Sequence, residues 1–176
     1  MEPFATPSTD HAQAGRWEAY PLISPNKFFI LCILSIGLYG LWWQYKTWRF
    51  FKQWQQTDEW PVARTIFSLF TFHGLLQRIN EFAYSNGDNT PLPNVTGLAA
   101  GYIILNLCGR LPDPFWLLSL GAIGFVVPAF RAFRSAMLGA PAYGGYDQTS
   151  FSGRQLVLLS VGAVFWGLVV VGLLMA

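Results

Sequence analysis

The chain has 176 residues, enough for one domain. Hydrophobic residues make up 53% and aromatics 17%, but charged residues only 11%, against about 25% in soluble domains, so part of the surface is expected to face lipid. The net charge of +2 comes without a basic run that would track phosphates, which argues against nucleic acid as a partner.

Residues 1–23 are mixed polar, with Pro3, Pro7, Ser8, Thr9 and Gly15, and predict a flexible N-terminal tail. Glu2, Asp10 and Glu18 and the lack of a basic n-region speak against a cleavable signal, so the first apolar segment is expected to stay as an anchor. Ser24 can cap a helix that Pro25 begins. The first predicted span runs over 27–45. Its core, Phe28 to Trp43, holds 16 residues without a charge, and Trp42, Trp43 and Tyr45 suit the lipid–water boundary.

The helix is expected to continue over 46–56. On a helical wheel Lys46, Arg49 and Lys52 share one arc, and Trp43, Phe50, Phe51 and Trp54 another. This suits an interfacial helix with cations toward headgroups and rings in the boundary. The alternative is an amphipathic helix packed on a partner. Residues 61–85 form a further predicted helix, stopped by Asn86-Gly87. Its apolar core, Ile66 to Leu76, has only 11 residues and favours a re-entrant or interfacial segment over a crossing.

A hairpin follows, with spans at 94–110 and 114–131 joined by Leu111-Pro112-Asp113, where Asp113 can cap the second helix. The last span is placed at 155–176. Ser152 and Gln155 have capping-box spacing before it, and Leu156–Ala176 contributes 21 uncharged residues. The predicted fold is therefore all-α: a single transmembrane domain over 24–176, with four transmembrane helices, an interfacial helix and a re-entrant or interfacial helix. Four crossings put Lys46, Arg49, Lys52, Arg64, Arg78, Arg131, Arg134 and Arg154 on one side, the cytoplasm by the positive-inside rule. Arg16, Lys27, Arg110 and both termini fall on the other.

Small residues allow close helix approach. Gly97 with Gly101, and Ala163 with Gly167, are the candidate pairs, for packing within the bundle or against another subunit. Ionisable groups inside a bilayer usually mark transport or catalysis, and the best apolar cores hold none. Asn106 can hydrogen-bond to a neighbouring helix. His73, near Gln77 on one helical face, is either a proton-responsive site or a structural histidine. Arg110 and Asp113, three apart, are expected to clasp the hairpin. Cys32 and Cys108 read as small buried hydrophobes. No metal or cofactor motif occurs, and no catalytic residue is assigned.

Ser24-Pro25-Asn26-Lys27-Phe28, Ser35-Ile36-Gly37-Leu38-Tyr39-Gly40, and Trp42-Trp43-Gln44-Tyr45-Lys46 with Trp48 resemble a family of small bacterial membrane proteins that carry a domain of unknown function. Leu111-Pro112-Asp113-Pro114, Phe151-Ser152, Gly162, Trp166 and Gly172 fit the same pattern, so the resemblance covers roughly residues 24–172. Ser35 stands where the family has threonine, and Trp42 where tyrosine is common. The resemblance implies a bacterial inner membrane and transfers no activity. The expected partners are the lipid bilayer and another membrane protein or a second copy of the chain. The expected role is a non-catalytic interaction or structural subunit. The alternative, a component of a small-solute or lipid transporter or channel, requires a polar cavity, with His73, Gln77, Tyr102 and Asn106 as its candidate lining.

Overall fold

The computed structural model describes residues 20–58, 60–87, 92–112 and 114–175. It is mostly helical, with β1 (Tyr20–Leu22), α1 (Pro25–Leu34), α2 (Leu38–Gln55), α3 (Pro61–Ile66), α4 (Ser68–Ser85), α5 (Val95–Leu107), α6 (Ala122–Gly139), β2 (Gly145–Asp147) and α7 (Gly153–Met175). Short 3-10 turns extend α5 through Cys108–Arg110 and lead into α6 from Phe115–Gly121. Two helical stretches, Phe115–Gly139 and Gly153–Met175, are long and apolar enough to cross a membrane. The four-helix expectation is therefore met only in its coarser form, an α-helical chain with two such helices.

The predicted span at 27–45 is not one helix. Ser24 caps α1 and Pro25 begins it, as the sequence implied. The helix then ends after ten residues, about 15 Å at 1.5 Å per residue, half of a ~30 Å hydrocarbon core. The break is made locally. The Ser35 hydroxyl accepts from Tyr39 N at 2.9 Å and donates to Cys32 O at 3.3 Å, so one side chain serves the end of α1 and the start of α2. Ile36 (φ 53°) and Gly37 (φ 83°) both enter the left-handed region and reverse the chain. The predicted boundary between a span and an interfacial helix at residue 46 is absent, because α2 runs unbroken from Leu38 to Gln55.

Contacts with α7 show how far the α1–α2 hairpin reaches. Lys27 Nζ donates to Thr149 O, just ahead of α7, and Trp166 Nε1 donates to Ile33 O at 3.0 Å. Gly162 sits so close to the end of α1 that a Cβ there would overlap the Leu34 carbonyl. On the way back, Tyr39 OH accepts from Gln155 Nε2 at 3.0 Å. The hairpin thus descends beside the first half of α7 and returns.

The 61–85 helix is also broken, at Phe67. There α3 ends and α4 begins, and Thr71 Oγ1 donates back to Phe67 O at 3.1 Å. Arg64, on α3, stacks on Trp48 of α2, with Cζ 4.4 Å from the ring centre. α4 buries Phe72, Leu75, Leu76, Ile79 and Phe82, a helical i, i+3, i+4, i+7 spacing, and packs on α5 and α6. α5, capped by Asn94, and α6 form the predicted antiparallel hairpin, and α6 continues past residue 131 to Gly139. Ser152 and Gln155 complete the predicted capping box: Ser152 N donates to Gln155 Oε1 at 2.8 Å, and Gln155 N to Ser152 Oγ at 3.4 Å.

Residues 20–22, assigned to the tail by sequence, pair in parallel with Gly145–Asp147. Tyr20 is buried against Phe133 and Phe50, and its burial pushes the phenol pKa up. Arg134 closes the same region by pairing with Asp147 at 2.8 Å. The rest of the predicted tail, 1–19, lies outside the described residues.

The aromatic arc of α2 is core rather than membrane boundary. Trp43 is 3% exposed and Phe51 fully buried, Phe50 is buried, and Trp54 packs on Phe82 at 5.4 Å between ring centres. Gly101 lies under the Phe125 ring, whereas Gly97 makes room for the Asn94 side chain that caps α5. Ala163 is exposed, and nothing lies within 4 Å of a Cβ built on Gly167. Overpacking a helix contact costs about 1–3 kcal/mol. Gly162→Leu is therefore expected to lower the thermal unfolding midpoint in detergent, while Gly167→Leu leaves it unchanged. Equal drops would place both glycines in the same packed interface.

Candidate functional site

Both helix breaks end at the same place. The Ser35–Gly37 turn and the first residues of α4 meet the middle of α5 and the start of α6, and enclose a cavity of about 180 Å³. Its wall is Cys32, Ile36, Gly37, Gly40, Leu41 and Gln44 from the first hairpin, Ser68 and Leu69 from α4, Tyr102 and Asn106 from α5, and Ser119, Leu120, Ala122, Ile123 and Val126 around the start of α6. Here the reversed backbone at Ile36 and Gly37 is part of the lining.

The cavity is mostly apolar, with a few linked polar groups and no formal charge. Gln44 Nε2 donates to Tyr102 OH at 3.4 Å, and Tyr102 OH donates to Ser68 Oγ at 3.4 Å. Asn106 Nδ2 donates to Tyr102 O at 2.8 Å along its own helix. Gln44 is 1% exposed, and its Oε1 has no hydrogen-bond partner among the described residues. A buried amide oxygen left unpaired costs roughly 1–3 kcal/mol. The arrangement therefore offers an acceptor to a small molecule with a donor group. A cavity needs only about 10–15 Å³ of such space per water, so there is room for several waters or one small neutral solute. Among the described residues, the lining holds no carboxylate, amine, guanidinium or imidazole. No group of three His, Cys, Asp or Glu side chains that could hold a metal occurs among them either.

The structure brings together only part of the lining proposed from sequence. Tyr102 and Asn106 face the cavity. His73, half-buried, and Gln77, exposed, stand one to two turns further along α4 and do not line it. Asn106 makes its hydrogen bond within α5 rather than across to another helix. Arg110 is exposed at the end of the α5 extension, and Asp113, its expected clasp partner, lies outside the described residues. Of the interfacial set, Lys46 lies 4.6 Å over the Tyr20 ring and 4.9 Å over Trp42, Arg49 is exposed and Lys52 half-buried.

Gln44 and Ser68 were not singled out by sequence. Gln44 sits inside Trp42-Trp43-Gln44-Tyr45, where the rings draw attention to a boundary. The available signal was Ser35-Ile36-Gly37 in mid-run: a hydroxyl and a glycine where an apolar span wants neither, with Gln44 two turns beyond.

Gln44→Leu removes an acceptor that the fold leaves unpaired, together with a donor whose 3.4 Å bond to Tyr102 OH is long and contributes little. It is expected to raise the thermal midpoint in detergent by the equivalent of about 1 kcal/mol. A fall of that size would make the amide a structural element instead. No family model, curated protein or solved structure matches the chain, so the site is interpreted from its own chemistry.

Proposed function

We propose that the chain is a multi-pass protein of the bacterial inner membrane and acts there as a non-catalytic interaction or structural subunit. The observation that carries this is α7. The most apolar 18 residues of this 23-residue helix reach a mean hydropathy of 2.5, yet only 6% of that stretch is buried in the fold. A core helix of a water-soluble protein would be covered by its own chain, and this one touches little beyond α1. Exposed apolar area on that scale calls for lipid or a partner. The inner-membrane location is the one implied by the resemblance over residues 24–172.

Within this reading three segments cross: α5 with its 3-10 extension, α6 with the turn ahead of it, and α7. The α1–α2 and α3–α4 units re-enter from one side and turn back at this cavity. Their tips are apolar, with Leu38, Ile66, Phe67 and Phe70 all exposed. This arrangement replaces four spans. It moves Lys27 to the side of the eight cations grouped by sequence and leaves Arg110 alone opposite among the described cations. The positive-inside rule then favours the cytoplasm for the crowded side more strongly than the four-span count did.

A second reading, a component for passage of a small neutral solute, is favoured by the unpaired Gln44 acceptor in the mid-depth cavity. Re-entrant segments meeting at a polar site are a device that transporters use.

Cysteine labelling tests the topology. In a background lacking Cys32 and Cys108, Asn26→Cys and Ala142→Cys are expected to react from the cytoplasmic side, and Leu111→Cys from the other. Opposite-side labelling at residues 26 and 142 would restore the four-span arrangement. Purification in mild detergent followed by mass spectrometry tests the role. A membrane protein is expected to co-purify with the wild type and to be lost with Gly167→Leu. Recovery of the chain alone from both would count against an interaction subunit.

A further inference from the structure

A second, larger concavity of about 1050 Å³ lies on the other side of α2, between it and the start of α7. One wall is Leu38 and Trp42, 63% and 48% exposed, and the other is Leu158 with Phe151 ahead of it. Lys46 and Arg154 line the same groove, and no carboxylate does among the described residues. The floor is held rigid by Gln155, which is 8% exposed, donates to Tyr39 OH and accepts from Ser152 N. Such a groove is too large for a bare anion, and Arg154 gives it a charge that a plain hydrocarbon chain cannot meet.

We propose that this groove is a binding site for an anionic glycerophospholipid of the cytoplasmic leaflet. The phosphate lies toward Arg154, and an acyl chain passes down between Leu38 and Leu158. The inference rests on α7 lying in the bilayer, as proposed above. It goes beyond that reading by naming a ligand class and a specific seat. Charge complementarity decides the occupant. Basic pockets between helices on the cytoplasmic side select anionic headgroups, each nearby Lys or Arg contributing about fivefold in affinity. The aromatic rims at Trp42 and Tyr39 suit the depth where headgroup meets chain. A polar peptide would find two greasy walls, and a neutral lipid would bring no counter-charge to Arg154.

The test is native mass spectrometry of the full-length protein in a neutral detergent, titrated with phosphatidylglycerol or with phosphatidylcholine. The wild type is expected to retain one phosphatidylglycerol in preference to phosphatidylcholine. Arg154→Gln, at an exposed position, is expected to reduce that retention about fivefold. Leu158→Trp, which fills the apolar wall, is expected to reduce binding of both lipids. Arg110→Gln, at the far end of the molecule, should change nothing. Equal retention of the two lipids, or equal effects of Arg154→Gln and Arg110→Gln, would overturn the proposal. So would displacement of the bound lipid by millimolar inorganic phosphate, which would mark an anion site without a lipid seat. Alkaline carbonate extraction of the same samples separates the two levels. Release of the wild type from membranes defeats the membrane reading itself, whereas retention without lipid preference defeats only the groove.

Discussion

The arrangement depends on two consecutive residues with positive φ. Ile36 is β-branched and sits at φ 53°, a conformation that costs of order 1–3 kcal/mol and persists only when its surroundings over-determine it. Those surroundings are visible. Ser35 binds both helix ends, Gly37 takes the second left-handed position without a side chain, and the Trp166 indole donates to the Ile33 carbonyl in the last turn of α1. Because the chain reverses here, α1 stops halfway along α7 and the first half of α2 runs back beside it. The cavity, the seat of α7 and one wall of the groove all follow from that reversal.

What holds the other end is a cluster of rings. Phe133 meets Tyr20, Trp43, Phe50, Phe51 and Phe82, all with centroids within 6.3 Å, and Phe28 stacks on Phe130 at 4.1 Å. Edge-to-face pairs of this kind contribute about 0.5–1.5 kcal/mol each beyond area burial. The rings come from β1, α1, α2, α4 and α6, so one cluster ties five elements that are not all neighbours in sequence. It also explains the order at Tyr20: a phenol that fills a slot between Phe50 and Phe133 draws its strand against β2.

Local chemistry was legible where a single residue determines the outcome. The Ser24 cap, the Ser152–Gln155 box, the Asn86-Gly87 stop and the short hairpin link each depend on a few neighbouring atoms, and each was readable. The helix breaks at Ser35–Gly37 and Phe67 were not, because apolar runs around them satisfy a span by length and hydropathy alone. The aromatic arc of α2 was visible as an arc, yet its partner was mistaken. A ring facing lipid headgroups and a ring facing Phe133 give the same periodicity, and only the long-range partner separates them. The cavity failed for a related reason. Tyr102 and Asn106 were recognised one turn apart on α5, but which polar residues join them depends on where α1 turns.

The three faces of α2 show why one helix can serve a core, a cavity and a groove at once. Trp43, Thr47, Phe50 and Phe51 follow the i, i+4, i+7, i+8 spacing of a core face and anchor the helix in the ring cluster. Gly40, Leu41 and Gln44 occupy the turns nearest the break and line the cavity, while Leu38, Trp42 and Lys46 lie across the helix along the groove. A residue added to or deleted from α2 would rotate all three sets by about 100° together. The core face would then lose its rings, and neither site would keep its lining. The register of α2 is therefore set by the aromatic core, and the positions of both candidate binding sites are consequences of that register.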